Sequence, residues 1–188
     1  MKKLLFITLV SLVFGLSTFY AQGFKEPAEG KAAIYFTRVT AYGFAVSFDF
    51  FHQDQYIGSF KKKNYLRYEC EPGEQLLWAS SENKEFITAD LEAGKSYIVM
   101  VNVIMGAMKA RVGLEPIGPS HKAFDRAVEL IKDKEPIQMK EKQMAKMKKK
   151  LKKRDFMKKN LDKYQNEWKG SKNFNHISKD MAVPEDKM

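Results

Sequence analysis

The sequence predicts a mainly β fold: an immunoglobulin-like or transthyretin-like antiparallel β-sandwich followed by a C-terminal α-helical extension. Three observations lead there. The stretch Lys95–Met105 (KSYIVMVNVIM) is apolar on both strand faces, with Tyr97, Val99, Val101, Val103 and Met105 on one and Ile98, Met100 and Ile104 on the other. Such a strand must be covered on both sides and reads as the centre of a sheet. About seven further short strand patterns surround it, separated by turn signals at close spacing, which fits a sandwich or a small barrel. Charge then divides the chain: residues 22–131 carry 13 Lys/Arg against 14 Asp/Glu, whereas residues 132–188 carry 18 against 9, so the net charge of +10 belongs to the C-terminal third.

The first strand is predicted over Lys31–Thr40, with Ile34 and Phe36 on one face and Tyr35, Thr37 and Val39 on the other. Ala41–Phe44 reads as a turn or loop. Phe44, Val46, Phe48 and Phe50 alternate with Ala45, Ser47 and Asp49, the pattern of a half-buried strand. Gln53-Asp54-Gln55 then turns the chain into Tyr56–Phe60, and Lys61–Asn64 forms a solvated turn before Tyr65–Cys70. Glu71-Pro72-Gly73-Glu74 suits a type II turn, because proline fixes φ and glycine accepts the positive φ that follows. Glu74–Ser80 and Glu85–Leu91 are the next strands. A last strand, with Met108, Ala110, Val112 and Leu114 on one face and Lys109, Arg111, Gly113 and Glu115 on the other, ends at Pro116, Gly118 and Pro119.

Residues 1–21 have the three-part layout of a secretory signal peptide: Lys2-Lys3, an uncharged run from Leu4 to Leu16, then small and polar residues up to Ala21. The run falls short of the roughly 20 residues a spanning helix needs, and an uncleaved anchor is the alternative. No cysteine follows it, so lipoprotein-type acylation is not expected at this end. Residues 22–29 are a linker and residues 30–118 the sandwich. The product is expected in the periplasm, at the outer membrane or outside the cell.

Residues 119–169 form a helical, basic extension. Phe124, Ala127, Val128 and Ile131 recur at i, i+3, i+4, i+7, a stripe that can pack on a sheet, with Ser120 as the expected N-cap and Pro136 as the stop. From Ile137 to Trp168 no Gly or Pro interrupts a Lys-, Met- and Leu-rich sequence, so helix is favoured. Met144, Met147 and Leu151 form one line and Met157, Leu161, Tyr164 and Trp168 another, rotated against it near Arg154; a single straight docking groove is not expected. Residues 170–188 are polar and expected to be disordered.

The candidate site is the cation run Lys146, Lys148, Lys149, Lys150, Lys152, Lys153, Arg154, Lys158 and Lys159. It reads either as a solvated helix face or as a contact for an anionic surface such as phospholipid or lipopolysaccharide headgroups. Nucleic acid is the least favoured partner: lysines neutralise phosphates, but an exported chain seldom meets intracellular DNA. An unidentified envelope protein is the other partner class.

No HExxH, GxSxG, GxxxxGK or GxGxxG motif occurs. His52, His121 and His176 share no ligand spacing, and the single cysteine, Cys70, alternates with Leu66 and Tyr68 as a core residue does. Glu69 and Glu71 share a strand face but adjoin a turn. No enzyme activity, metal or cofactor is expected. Phe44, Phe48, Phe50, Tyr56, Phe60 and Tyr65 suit core packing first, and a cleft for a small apolar ligand second.

The residues Gly30, Lys31, Ala32, Ile34, Tyr35 and Arg38, then Ile57-Gly58, then Tyr68, Pro72 and Gly73, then Leu91, Ala93, Gly94, Lys95, Tyr97 and Val99 occur in an order that resembles the bacterial family known as domain of unknown function 2846. The resemblance covers about residues 30–117. It implies an exported β-sandwich module, often a lipoprotein, and carries no catalytic residues; the chain departs from it in lacking a lipidation cysteine and in adding the basic extension.

Overall fold

The computed structural model describes residues 23–106 and 110–188. The signal peptide read over residues 1–21, as well as Met108 and Lys109, lies outside the described residues. Strands β1 (Ala32–Thr37), β2 (Phe48–His52), β3 (Gln55–Phe60), β4 (Tyr65–Cys70), β5 (Gly73–Ser80), β6 (Lys84–Leu91), β7 (Ser96–Met105), β8 (Ala110–Ile117) and β9 (Asn175–Ile177) form two sheets. One has the order β4-β1-β7-β8 and the other β3-β2-β5-β6-β9. The mainly β sandwich is therefore what the chain forms. The strand expected at a sheet centre, β7, lies between β1 and β8.

Two pairings depart from the antiparallel pattern, so both sheets are mixed. β1 runs parallel to β7, with Ile34 opposite Tyr97 and Phe36 opposite Val99, and β6 runs parallel to β9. The reason is chain path. After β1 the chain crosses to the second sheet, returns once as β4 on one flank of β1, crosses again, and returns as β7 on the other flank. A parallel neighbour needs such a long crossover.

Between the sheets Ile34, Phe36, Phe50, Leu77, Val99 and Val101 are buried. Phe50 packs 5.0 Å from Phe36 and stacks 5.1 Å from Phe60, measured between ring centroids. The outer face of the first sheet carries Tyr35, Ile98 and Met100 beneath helix α1 (Phe124–Asp133), whose expected stripe of Phe124, Ala127, Val128 and Ile131 supplies the cover. The outer face of the second sheet is covered by α2 (Glu141–Lys153) and α3 (Phe156–Lys163), extended by a π-helical turn at Tyr164–Trp168. The molecule is thus layered α/β/β/α.

Three expectations are corrected. Ser120 does not cap α1, which begins four residues later; the His121 Nδ1 instead accepts from the Ala123 N–H at 3.2 Å. The strand expected from Phe44 begins only at Phe48, because the backbone before it turns and spends its carbonyls on Arg38. The tail over residues 170–188 is ordered. Ile177 enters the inter-sheet core, β9 pairs with β6, and the Val183 N–H donates to the Ser96 carbonyl at 2.8 Å. An open edge on β6 offers unpaired N–H and C=O groups, and the three residues Asn175–Ile177 fill it opposite Ile87–Ala89.

Candidate functional site

The second sheet presents an aromatic floor. Phe51 and Trp78 stack at 3.9 Å, and Trp78 and Phe86 at 5.3 Å. The indole N–H of Trp78 donates to the Gln53 carbonyl at 2.9 Å, at the tip of the β2–β3 hairpin. Such a surface cannot remain wet without a large loss of stability. The extension covers it from one end to the other. Met144, Met147 and Leu151 of α2 lie at one part, Phe156, Met157 and Leu161 of α3 at the next, and Tyr164 and Trp168 at the far end, with Tyr164 stacked 4.7 Å from Phe86.

The rotation between the two apolar lines has a structural cause. At the α2–α3 junction Asp155 adopts a left-handed backbone (φ 48°), and the Arg154 and Asp155 N–H groups close the last turn of α2 on Leu151 and Lys152. The bend re-aims the helix, so two stripes that diverge along a straight helix meet the same floor.

With the apolar stripes spent on the sheet, the polar sides of both helices point to solvent. Lys146, Lys148, Lys149, Lys150, Lys152, Lys153, Arg154, Lys158 and Lys159 are all exposed, so every cation singled out in the sequence lies on the outer surface of this layer. From Lys140 to Lys169 there are thirteen Lys/Arg and four Asp/Glu, a net charge of +9. None of the nine forms an ion pair among the described residues; Lys150 is near enough to Asp49 to favour its ionised form. A cleft of about 500 Å³ at the α2–α3 bend has Tyr56, Leu151, Phe156 and Met157 in its walls and Lys148, Lys152 and Lys158 around it.

Asp49 lies at the margin of this layer. Burial pushes its carboxyl pKa up, opposed by the Tyr56 hydroxyl, which donates to Asp49 Oδ1 at 3.3 Å, and by Lys150 and Lys84. The Lys84 ammonium sits 5.5 Å from the Phe156 ring centroid, and burial lowers its pKa.

The other candidate residues are not brought together. His52 lies 2.9 Å from the Tyr68 hydroxyl and 2.7 Å from Gln75, His121 is 3.3 Å from Glu115, and His176 is 2.8 Å from the Thr88 hydroxyl. Among the described residues no three His, Cys, Asp or Glu side chains are grouped to hold a metal ion. Glu69 pairs with Arg67 and Glu71 with Lys31. Cys70 is buried, and burial pushes its thiol pKa up to about 11. The aromatic set divides: Phe48, Phe50 and Phe60 fill the inter-sheet core, Tyr56 lies in the aromatic floor, Tyr65 lies under α1, and Phe44 is exposed.

Sequence reasoning missed the role of Arg38, which the structure buries completely. Its guanidinium donates to the carbonyls of Tyr42 (2.6 Å), Lys61 (2.7 Å) and Val46 (3.0 Å), lies 5.6 Å from the Phe48 ring centroid, and leaves Nε without a partner. Burial lowers its pKa. In the sequence Arg38 stood out only as a lone cation late in the first predicted strand and as one residue of the order that resembles a known family.

Comparison with family models, with curated proteins and with solved structures finds no match to this chain.

Proposed function

We propose that this chain is an exported, non-catalytic β-sandwich module of the cell envelope, related to the domain of unknown function 2846 family, that binds an anionic surface through the outer face of α2 and α3. The observation that carries this reading is the docking of the extension. The apolar stripes face Phe51, Trp78 and Phe86, and nine exposed cations are left on one layer. Each Lys or Arg close to an anionic leaflet contributes on the order of 1 kcal/mol, so four engaged residues raise affinity about a thousandfold. A docked helix loses less freedom on binding than a flexible tail. The leader pattern of residues 1–21 supports export, and no helix among the described residues is long and apolar enough to cross a membrane.

Cosedimentation with phosphatidylcholine vesicles containing phosphatidylglycerol tests the proposal. The parent is expected to pellet at low salt. A variant with Lys148, Lys149, Lys152 and Lys153 changed to Gln is expected to stay in solution while melting like the parent. Equal pelleting of the two would overturn the reading.

A further inference from the structure

Four large hydrophobic side chains stand exposed among the described residues: Phe44 (70 %), Tyr42 (61 %), Met105 (57 %) and Ile104 (44 %). All four lie at one end of the sandwich, on two adjoining segments. Tyr42 and Phe44 belong to the turn between β1 and β2; Ile104 and Met105 end β7. The two segments touch at Gly43, where an added Cβ would come within 2.8 Å of Val103 Cγ1 and where φ is +67°, so only glycine fits. Met105 lies on the same strand face as Val103, about 7 Å further out.

We propose that this end is a second contact of the protein with an anionic bilayer, inserting its apolar tips at the boundary between headgroups and acyl chains. This rests on the reading of α2–α3 as an anionic-surface contact. Three observations carry it. The tips are held out rather than left loose: the Arg38 guanidinium grips the Tyr42 and Val46 carbonyls, and the Val46 N–H closes the turn on Gly43 at 2.8 Å. Arg38 also grips the Lys61 carbonyl, which fixes the exposed turn Lys61-Lys62-Lys63 beside the apolar tips. Cations then continue to the helical layer, since Lys146 and Lys150 share a cleft with Ser59, two residues before Lys61. Apolar tips bordered by lysines match a surface that is apolar below and anionic at its rim. A fluid bilayer accepts side chains from two separate loops without a shaped partner, and tyrosine favours that boundary because its ring and hydroxyl straddle it.

The test uses the full mature chain with mixed phosphatidylcholine–phosphatidylglycerol vesicles. A Phe44→Trp variant reports insertion. Its added emission, over the parent's Trp78 and Trp168, is expected to shift to the blue and to be quenched by lipids brominated in the acyl chain. A combined Tyr42→Ser, Phe44→Ser, Ile104→Ser variant is expected to bind about tenfold more weakly or worse at a salt concentration that still permits parent binding. Because these side chains are exposed, it is expected to melt like the parent; if it does not, the Phe44→Trp readout decides alone. Unquenched added emission from the Phe44→Trp variant, together with parent-like binding of the serine variant, overturns insertion, and leaves the helical contact standing if the Lys→Gln variant is lost to solution. Quenched emission with weakened binding supports insertion. No vesicle binding by the parent would overturn both proposals.

Discussion

Replacing Trp78 by alanine is the sharpest probe of how the extension is held. The indole is fully buried, stacked 3.9 Å from Phe51 and 5.3 Å from Phe86, and 5.9 Å from Phe156 of α3. Truncating a buried tryptophan costs about 3–5 kcal/mol. The Gln53 carbonyl also loses the indole N–H, which adds about 1 kcal/mol. A loss of about 4–6 kcal/mol is a large part of the 5–15 kcal/mol that holds an ordinary domain. With a urea slope of about 2 kcal/mol/M, the unfolding midpoint should fall by about 2–3 M. The assay is urea denaturation followed by circular dichroism, paired with limited trypsin digestion read for early cuts between Lys140 and Lys169. A midpoint within about 0.5 M of the parent, with unchanged trypsin cuts, would refute the claim that α2 and α3 are clamped on this floor.

Three further outcomes follow from the same contacts. Val101→Asp places a carboxylate in the inter-sheet core, where Val101 is buried; an unpaired buried charge costs several kcal/mol, so the variant should not fold at neutral pH, and a cooperative melt near the parent's would contradict the core assignment. Asp49→Asn should stabilise the protein at neutral pH. The folded carboxyl pKa is raised above 3.8 by burial, so the folded state holds the proton more tightly and stability is lost as pH rises from the unfolded pKa through the folded one; in melts run across pH, the advantage of the Asn variant should vanish under acid conditions, and an advantage independent of pH would refute the assignment. Arg38→Lys keeps the charge but cannot fork to three carbonyls; a loss of about 2 kcal/mol or more and faster amide exchange over residues 41–47 are expected, and parent-like exchange there would show that Arg38 does not hold the turn.

The strands were legible where alternation is strong and local. β4 matches its sequence reading at both ends because apolar alternation and flanking turns coincide there. β7 was visible as a central strand because both of its faces are apolar, one meeting the opposite sheet and the other α1. The parallel partnership of β1 and β7 was not legible, since no local pattern records which flank a returning strand takes. β9 is three residues long and owes its order to the free edge of β6, a tertiary cause. Phe44 misled for a physical reason: it continues the alternation of Val46, Phe48 and Phe50, yet Arg38 draws the backbone into a turn and leaves the ring outside. The cation run was plain from composition, and the two rotated apolar lines were plain as well. The bend at Asp155 that lets both lines meet one floor was not, because a left-handed aspartate leaves little trace in sequence.

Docking on the aromatic floor turns a basic tail into a fixed cationic face, and the proposed anionic-surface contact rests on that face. Its most direct test is the salt dependence of vesicle affinity for the parent and for the Lys148, Lys149, Lys152, Lys153→Gln variant. Parent binding is expected to weaken steeply with added salt, as exposed charges are screened over about 10 Å at 0.1 M, and the variant to bind with lower affinity and a shallower salt dependence. Parent and variant curves that coincide, or parent binding indifferent to salt, would contradict the proposed contact.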